Sequence, residues 1–543
     1  MRRLGALVLL VVVLAGCAPA GRGGEDGGLR RVTIVAVSDW HGQLDPVTIR
    51  VGGVARAAGG AAVLKAYFDR ERRRNPRGTL VVTAGDAFGG TPPVSSFFED
   101  VPAVEAQNAM GFDVDTLGNH NFDRGLGHLR RLMARARFPY VVANIVGPDG
   151  RTLVPPTHVV VRDGVRVGVI GIGNPETPAV VGPGRHGDFR FLEPAPVVNE
   201  HAAALRRRGA DVVVVLAHVG ATAVAADGTP VGRLGDLARA VRGVDVLIGD
   251  HTDVSVNARV GDVLVVECRS RGAEYAVIDI EVDRARRRPV RAVAALRPAL
   301  ADAVTPDPAV AALVAGWHAR ARPLFDVPVG RTAAVLGGAR DRESALGNFV
   351  ADALRAAYGA DVAFVNSGGL RDALPSAYRP ADRTLRRPAP GYAAGPPWDV
   401  VRGDLQQVFP FGNVAVTFRI AGRTLWAALE RGVAAGVLRD GRFANAHGGF
   451  LQVSGLAYRF DARRPPGRRV TSVTLAGGAP LPPDGREYRA VTVDFVYKGG
   501  DGFAMLDNGT GTTREPLADV VARALTAGAR AAGVEGRIQE RSE

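Results

Sequence analysis

Cysteine and lysine are the scarce residues of this chain, and each scarcity closes a route. There are two cysteines, Cys17 and Cys268, in 543 residues. Cys17 ends Leu14-Ala15-Gly16-Cys17, which has the form of a lipobox and follows Arg2, Arg3 and the apolar run Leu4–Leu14. That run is too short to span a bilayer as a stable helix, so residues 1–16 read as a cleaved lipoprotein signal. Cys17 then becomes an acylated N-terminus anchored to a bacterial membrane through several chains, and residues 17–29 a Gly-rich tether. With Cys17 committed to lipid, no intrachain disulfide is possible. Cys268, in the strand-like run Val263–Cys268, is expected to be a small buried apolar residue rather than a nucleophile.

Lysine occurs twice, at Lys65 and Lys498, so the net charge of +13 rests on arginines scattered among Ala, Gly and Val. No basic stripe with interleaved aromatics appears, and nucleic-acid recognition is not expected. The bulk charge still favours anionic substrates and membrane surfaces. After residue 16 no apolar run is long enough to cross a bilayer, so the remainder is expected to be extracytoplasmic, soluble and monomeric.

What is present is a set of five short motifs: Asp39-Trp40-His41, Gly85-Asp86, Gly118-Asn119-His120-Asn121-Phe122-Asp123, Ala217-His218 and His251-Thr252-Asp253. Each follows an apolar run that reads as a buried parallel strand: Val32–Val37, Leu80–Thr83, Val114–Leu117, Val212–Leu216 and Val244–Ile248. Side chains just beyond the carboxyl ends of parallel strands meet on one edge of a sheet, where open α/β folds build their sites.

The length is too great for one core and predicts two domains with a connector. Residues 30–300 alternate apolar strands with helical stretches such as Ala61–Arg74 and His201–Arg208, an α/β pattern that closes with strands at Tyr275–Val282 and Val290–Leu296. Residues 301–326, with a helix at Pro306–Leu324, form the connector. Residues 327–537 form a second domain with a helix at Ser344–Tyr358 and a Pro/Gly/Arg-rich loop at Pro375–Pro397. That loop is either a disordered surface insertion or a border of the substrate cleft.

Asp39 and His41, two apart at a strand end, are expected to face the same way, and His251 and Asp253 repeat the spacing. Asp86 is the candidate bridge between two cations, because a shared carboxylate offsets their repulsion. Two such metals, roughly 3.5–4 Å apart, activate a water and stabilise entering and leaving oxygens. His, Asp and one Asn oxygen suit Zn, Mn or Fe without choosing among them. Asn119 and His120 are neighbours; Asn119 is assigned to a metal and His120 to the substrate, with Asp123 reaching back to the imidazole to keep it protonated. Asp250 reads as a bystander.

In the second half, Phe411 and Phe495 lie on separate loops and suit a sandwich around a flat base. Asn413 suits the base edge and Asp501 the ribose hydroxyls. Asn366-Ser367-Gly368-Gly369-Leu370-Arg371 offers close backbone approach and an arginine fork for phosphate oxygens, and Arg342 a second clamp.

Carried on these residues, nearly all of the mature chain resembles the bacterial periplasmic 5′-nucleotidase and UDP-sugar hydrolase family, and its N-terminal half the wider calcineurin-like metallophosphatases. The resemblance implies a four-layer α/β/β/α metallophosphatase domain followed by an α+β nucleoside-binding domain. It implies a first metal held at Asp39, His41, Asp86 and Asp253, a second at Asp86, Asn119, His218 and His251, and a dyad at His120 and Asp123. It implies a nucleoside pocket at Arg342, Asn366, Arg371, Phe411, Asn413, Phe495 and Asp501. The chain departs from the family where Asp253 stands in place of a usual His or Gln; a shorter, anionic ligand favours harder cations such as Mn²⁺. The activity implied is release of phosphate from nucleoside 5′-monophosphates. Two alternatives stay open: a 2′,3′-cyclic-nucleotide diesterase or nucleotide-sugar pyrophosphatase, and a non-catalytic nucleotide-binding lipoprotein.

Overall fold

Four of the five apolar runs of the first half become strands, divided between two sheets as the four-layer expectation requires. The structure, a computed structural model, describes residues 28–439, 441–445, 447–528 and 533–541. The lipobox and Cys17 lie outside the described residues. One sheet runs in the order Arg288–Pro298, Glu274–Asp283, Leu29–Val37, Thr79–Thr83, with the last two parallel. The other runs Val256–Val260, Val263–Glu267, Val246–Ile248, Val212–Ala217, Val165–Ile172, Thr157–Arg162, and its four central strands are parallel.

The two sheets face each other across one apolar layer that includes Ile34, Val82, Val214, Ile248 and Ile278. The outer face of the first sheet, with Val35, Val81 and Val277, is covered by the helices Ala61–Arg74 and Val101–Met110. That of the second, with Ile170, Val213 and Leu247, is covered by Pro194–Arg207 and Arg233–Ala240. Four layers, α/β/β/α, result. Burial on both faces explains why these strands read as unbroken apolar runs.

Val114–Leu117 is not a strand. Val114 makes one parallel bridge to Val82 and Asp115 one to Tyr140. Side-chain carboxylates occupy the amides a ladder would use: Asp113 accepts from Val81 N at 2.8 Å and Asp115 from Thr116 N at 2.7 Å. The segment therefore enters the Asn119 turn as irregular chain.

The connector helix, Pro308–Phe325, starts at an Asp307 cap that accepts from Val310 N at 2.9 Å. Val310, Val314, Trp317, Ala321 and Phe325 are buried in the N-terminal core, so the helix is part of that layer stack. The second half packs around one core of its own on a five-stranded sheet, ordered Leu451–Ser454, Val362–Asn366, Glu487–Val493, Val414–Ala421, Thr512–Pro516. The helix Ala345–Tyr358 lies on it, capped where Ser344 Oγ accepts from Gly347 N.

The Pro375–Pro397 loop carries no helix or long strand, yet it is not a disordered insertion. Arg387 is buried and donates twice to Asp404, at 2.5 and 2.6 Å, and also to the carbonyls of Asp399, Ser376 and Tyr378. Tyr378 packs on Phe325, and its hydroxyl donates to Asp326 at 2.7 Å. The loop thus braces the end of the connector helix, away from the cleft described next. One buried arginine satisfied by five acceptors outweighs the loop-like composition.

Candidate active site

Strands of both sheets end level with one another, and the backbone then turns sharply. Asp39, His41, Asp86, His251 and Asp253 all take positive φ, between 41° and 89°. Such conformations cost energy for non-glycine residues and persist where surrounding structure imposes them. They correct the expectation for Asp39 and His41. The strand stops at Val37, so the two converge through left-handed turns and not through the two-residue alternation of a strand. Asp39 Oδ1 lies 3.7 Å from His41 Nε2.

His218, fully buried, is the centre of the cluster. Its Nε2 is 3.0 Å from Asp86 Oδ2, 3.2 Å from Asn119 Oδ1 and 3.9 Å from Asp39 Oδ1. Ligand atoms of Asp39, Asp86 and His218 lie within 4.8 Å of one another. Asp86 Oδ1 accepts the amide of His120 at 2.9 Å, leaving Oδ2 toward the cluster. The approach depends on glycine: a Cβ at Gly118 would collide with the Asp86 carboxylate, and one at Gly89 with the carbonyl of His120.

The histidines are oriented from behind. His41 Nδ1 is 2.7 Å from the Gly89 carbonyl and His218 Nδ1 is 3.1 Å from that of Ala84, so each donates there and presents Nε2. Burial pushes the His41 and His251 imidazoles down to about 3, keeping them neutral as a cation ligand requires. For His218 burial also opposes protonation, but Asp86 prevails and the pKa rises to about 9. Burial raises the Asp39 carboxyl well above its ordinary range, and Asp250 beside it adds to that. Buried carboxylates converging on one imidazole make a centre that a cation would neutralise. Oxygen and imidazole donors of this kind fit divalent metals.

His120 Nδ1 lies 2.9 Å from Asp123 Oδ2, which also accepts from Gly90 N at 3.0 Å. Burial disfavours the imidazolium, but the charge and hydrogen bond of Asp123 outweigh it and raise the His120 pKa. Asn121 clips the same turn, accepting from Gly118 N at 2.7 Å and donating to Phe88 O at 2.9 Å.

A cavity of about 1070 Å³ opens from this centre between the two halves. Asp39, His41, Asp86, Asn119, His120, Asp123, His251 and Asp253 line it from one side; Asn366, Arg371, Phe411, Asn413, Phe495 and Asp501 line it from the other. Asn366 Nδ2 donates to Asp501 Oδ2 at 2.8 Å, and Asn366 Oδ1 is buried with no hydrogen-bond partner. Phe411 stacks on His120, and the Arg371 guanidinium lies 5.7 Å from the Phe411 ring centre. Asp253 is exposed in the cleft, and its charge acts on Arg371.

Arg342 is a correction. It points out to solvent, paired with Asp341 at 3.0 Å, while Arg340 lines the cavity in its place. Gln452, on the strand Leu451–Ser454, accepts Ser344 N and donates to the Arg342 carbonyl, which fixes the backbone of this segment from across the domain. Asp250 is a second correction, since it is fully buried 3.7 Å behind His218 Nδ1. Two further residues carried no sequence signal. Glu267 accepts from Ala221 N, Thr252 N and Thr252 Oγ1 and so pins the His251 turn. Asn174 places Nδ2 3.1 Å from His251 Nε2.

A family model described as the 5′-nucleotidase C-terminal domain matches residues 328–508. The chain is 28% identical over 471 residues to "Endonuclease YhcR" of Bacillus subtilis, covering 83% of this chain and 36% of that protein. It is 28% identical over 528 residues to "Cell wall protein Lmo0130" of Listeria monocytogenes, covering 87% of this chain and 64% of that protein. It therefore spans less than two thirds of the length of either relative. The crystal structure of a 5′-nucleotidase precursor from Thermus thermophilus superimposes with a TM-score of 0.77 at 27% identity, covering 95% of this chain and all of that one. By domain match, fold and sequence together, the chain resembles the two-domain 5′-nucleotidases, with residues 328–508 matching their C-terminal domain and the whole chain superimposing on the Thermus structure.

Proposed function

We propose that this protein hydrolyses the 5′-phosphate of nucleotides, working outside the cytoplasm with two divalent cations. One observation carries the reading. A single cavity is lined from one half by the Asp39–Asp86–Asn119 donors and the His120–Asp123 pair, and from the other by Asn366, Phe411, Phe495 and Asp501. The first set suits a phosphoryl group and the second a nucleoside.

Asp39, Asp86 and His218 converge their ligand atoms, and the family resemblance would assign Asp39, His41, Asp86 and Asp253 to one cation and Asp86, Asn119, His218 and His251 to the other. Bound there, the cations would activate water and neutralise charge on the phosphoryl oxygens. Arg371 and Arg340 hold the non-bridging oxygens from the opposite wall. His120 keeps its Nδ1 proton on Asp123 and presents the Nε2 proton to the leaving 5′ oxygen. Asp501 and Asn366 take the ribose hydroxyls, Asn413 the base edge, and Phe411 and Phe495 the base faces.

A diester reading is favoured by one observation, the cavity volume, which lies just above the range of about 300–1,000 Å³ for small-ligand sites. The location draws support from the relative named as a cell wall protein and from the lipobox, with Cys17 as the anchor and residues 30–300 and 327–537 as the two domains. The test is a product inventory from AMP, UDP-glucose and 2′,3′-cyclic AMP with purified, metal-loaded protein. Phosphate and adenosine from AMP are expected as the fastest products. Turnover of the diesters with AMP left intact would overturn the monophosphatase reading.

A further inference from the structure

Two carboxylates flank His251, and their surroundings are opposite. Asp253 is exposed in the cleft, whereas Asp250 is fully buried. The amide of His251 is shared: Asp39 Oδ2 accepts it at 2.6 Å and Asp250 Oδ1 at 3.0 Å. The two acids are therefore held against one N–H, with Asp86 on the far side of His218. Asp250 Oδ2 is buried and accepts no hydrogen bond. Among the described residues, the only basic side chain at ion-pair distance from it is His218, whose Nδ1 is 3.7 Å away.

Three buried carboxylates, Asp39, Asp86 and Asp250, thus crowd one imidazole. Leaving a buried carboxylate unpaired is costly, and repulsion between like charges at this depth adds to the cost. A cation on the Nε2 side of His218 relieves both at once. Asp250 does not face the cleft and cannot touch substrate. Its route of action is through the residues in front of it: it orients the His251 amide and, ionised once a cation is bound, would place negative charge behind His218 and Asp39. His218 Nδ1 donates to the Ala84 carbonyl, so Asp250 reaches the imidazole by charge across 3.7 Å and not by a hydrogen bond; loss of groups that support metal ligands from behind typically costs about 10–100-fold in metal affinity.

We infer that Asp250 is a positioning residue of the metal centre, acting through His218 and Asp39 to tighten cation binding at the expense of stability in the metal-free protein. This inference rests on the reading of Asp39 and His218 as metal ligands.

The experiment compares wild type with Asp250→Asn, which keeps the shape and the Oδ1 acceptor for His251 and removes the charge. Both proteins are stripped with chelator, titrated with Mn²⁺ by calorimetry and melted with and without the metal. Mn²⁺ affinity is expected to fall roughly 10–100-fold in D250N. The stripped D250N is expected to melt at a higher temperature than stripped wild type, and its gain on adding Mn²⁺ to be smaller. A purely structural Asp250 predicts the reverse, a lower melting temperature with unchanged affinity. Equal Mn²⁺ affinity in the two proteins, a stripped D250N that melts lower, or a D250N that fails to fold would each overturn the inference while leaving the metal centre in place. Failure of wild type itself to bind Mn²⁺ would overturn the metal reading and this inference with it.

Discussion

His120 and Phe411 come from different domains, and their rings lie parallel at 6.0 Å with an interplanar angle of 10°. The side chain assigned to protonate the leaving group is covered by one assigned to hold the base. Substrate that reaches His120 must share the space with this ring, so Phe411 couples nucleoside binding to the catalytic face. The dyad beneath it is set independently by Asp123 and Gly90.

His120→Ala is therefore expected to lower kcat on the order of 10²–10⁴-fold, because the group acts on charge that develops during reaction. Metal content measured by elemental analysis should be unchanged. Loss of metal would instead make His120 a ligand and reverse its assignment with Asn119.

The two aromatic residues should separate. Phe495→Ala is expected to raise KM for nucleotides by roughly 1–3 kcal/mol of lost stacking and to spare p-nitrophenyl phosphate. Phe411→Ala should disturb both substrates, since its ring also lies on His120. If Phe495→Ala harms both substrates equally, that residue supports the fold and lies outside the base pocket.

Arg340 and Arg342 make a paired test. Arg340 lines the cavity and Arg342 faces solvent, so Arg340→Ala is expected to raise KM for AMP by at least about tenfold, the loss of a charged hydrogen bond of about 1.5–3 kcal/mol. Arg342→Ala should leave it within about twofold, as surface substitutions usually change free energies by less than about 0.5 kcal/mol. The opposite ranking would return the clamp to Arg342.

Asp253 should bias the choice of metal. An anionic oxygen ligand suits Mn²⁺ better than Zn²⁺, which leans toward nitrogen and sulfur. Chelator-stripped enzyme is expected to regain more activity with Mn²⁺ than with Zn²⁺, and Asp253→His to shift the preference toward Zn²⁺. Full metal stoichiometry and activity in Asp253→Ala would put Asp253 outside the ligand set.

Asp115 carries a pH signature. Burial pushes its carboxyl up to about 8, despite hydrogen bonds from Gln107, Thr116 and Gly85. The folded state then holds a proton that the unfolded chain releases near pH 4, so stability is fullest below that pH and is lost as pH rises toward 8. Asp115→Asn should flatten denaturation free energy across this window, removing a slope of up to about 1.4 kcal/mol per pH unit. An unchanged profile would show that Asp115 is not the group responsible.

Strand-forming runs and the residue types after them were set by the sequence itself. A stretch such as Val212–Leu216 can only be buried on both faces, and Gly-Asn-His-Asn-Phe-Asp fixes a turn with its own hydrogen bonds, so local chemistry was enough to find Asp39, Asp86, Asn119, His120 and His218. The helix Ala61–Arg74 was legible for the same reason, its apolar spacing being a local property. Three matters were settled only by tertiary structure. Which sheet each strand joins depends on pairing partners more than 100 residues away, as when Leu29–Val37 pairs with Glu274–Asp283. Whether Arg340 or Arg342 faces the cleft depends on how their segment is held, and Gln452 of a distant strand fixes its backbone. Asp250 and Asp253 flank the same histidine and look alike in sequence. One lies behind His218, shut off from water, and the other stands in the open cleft, because burial is a property of what packs around a residue and not of its neighbours along the chain.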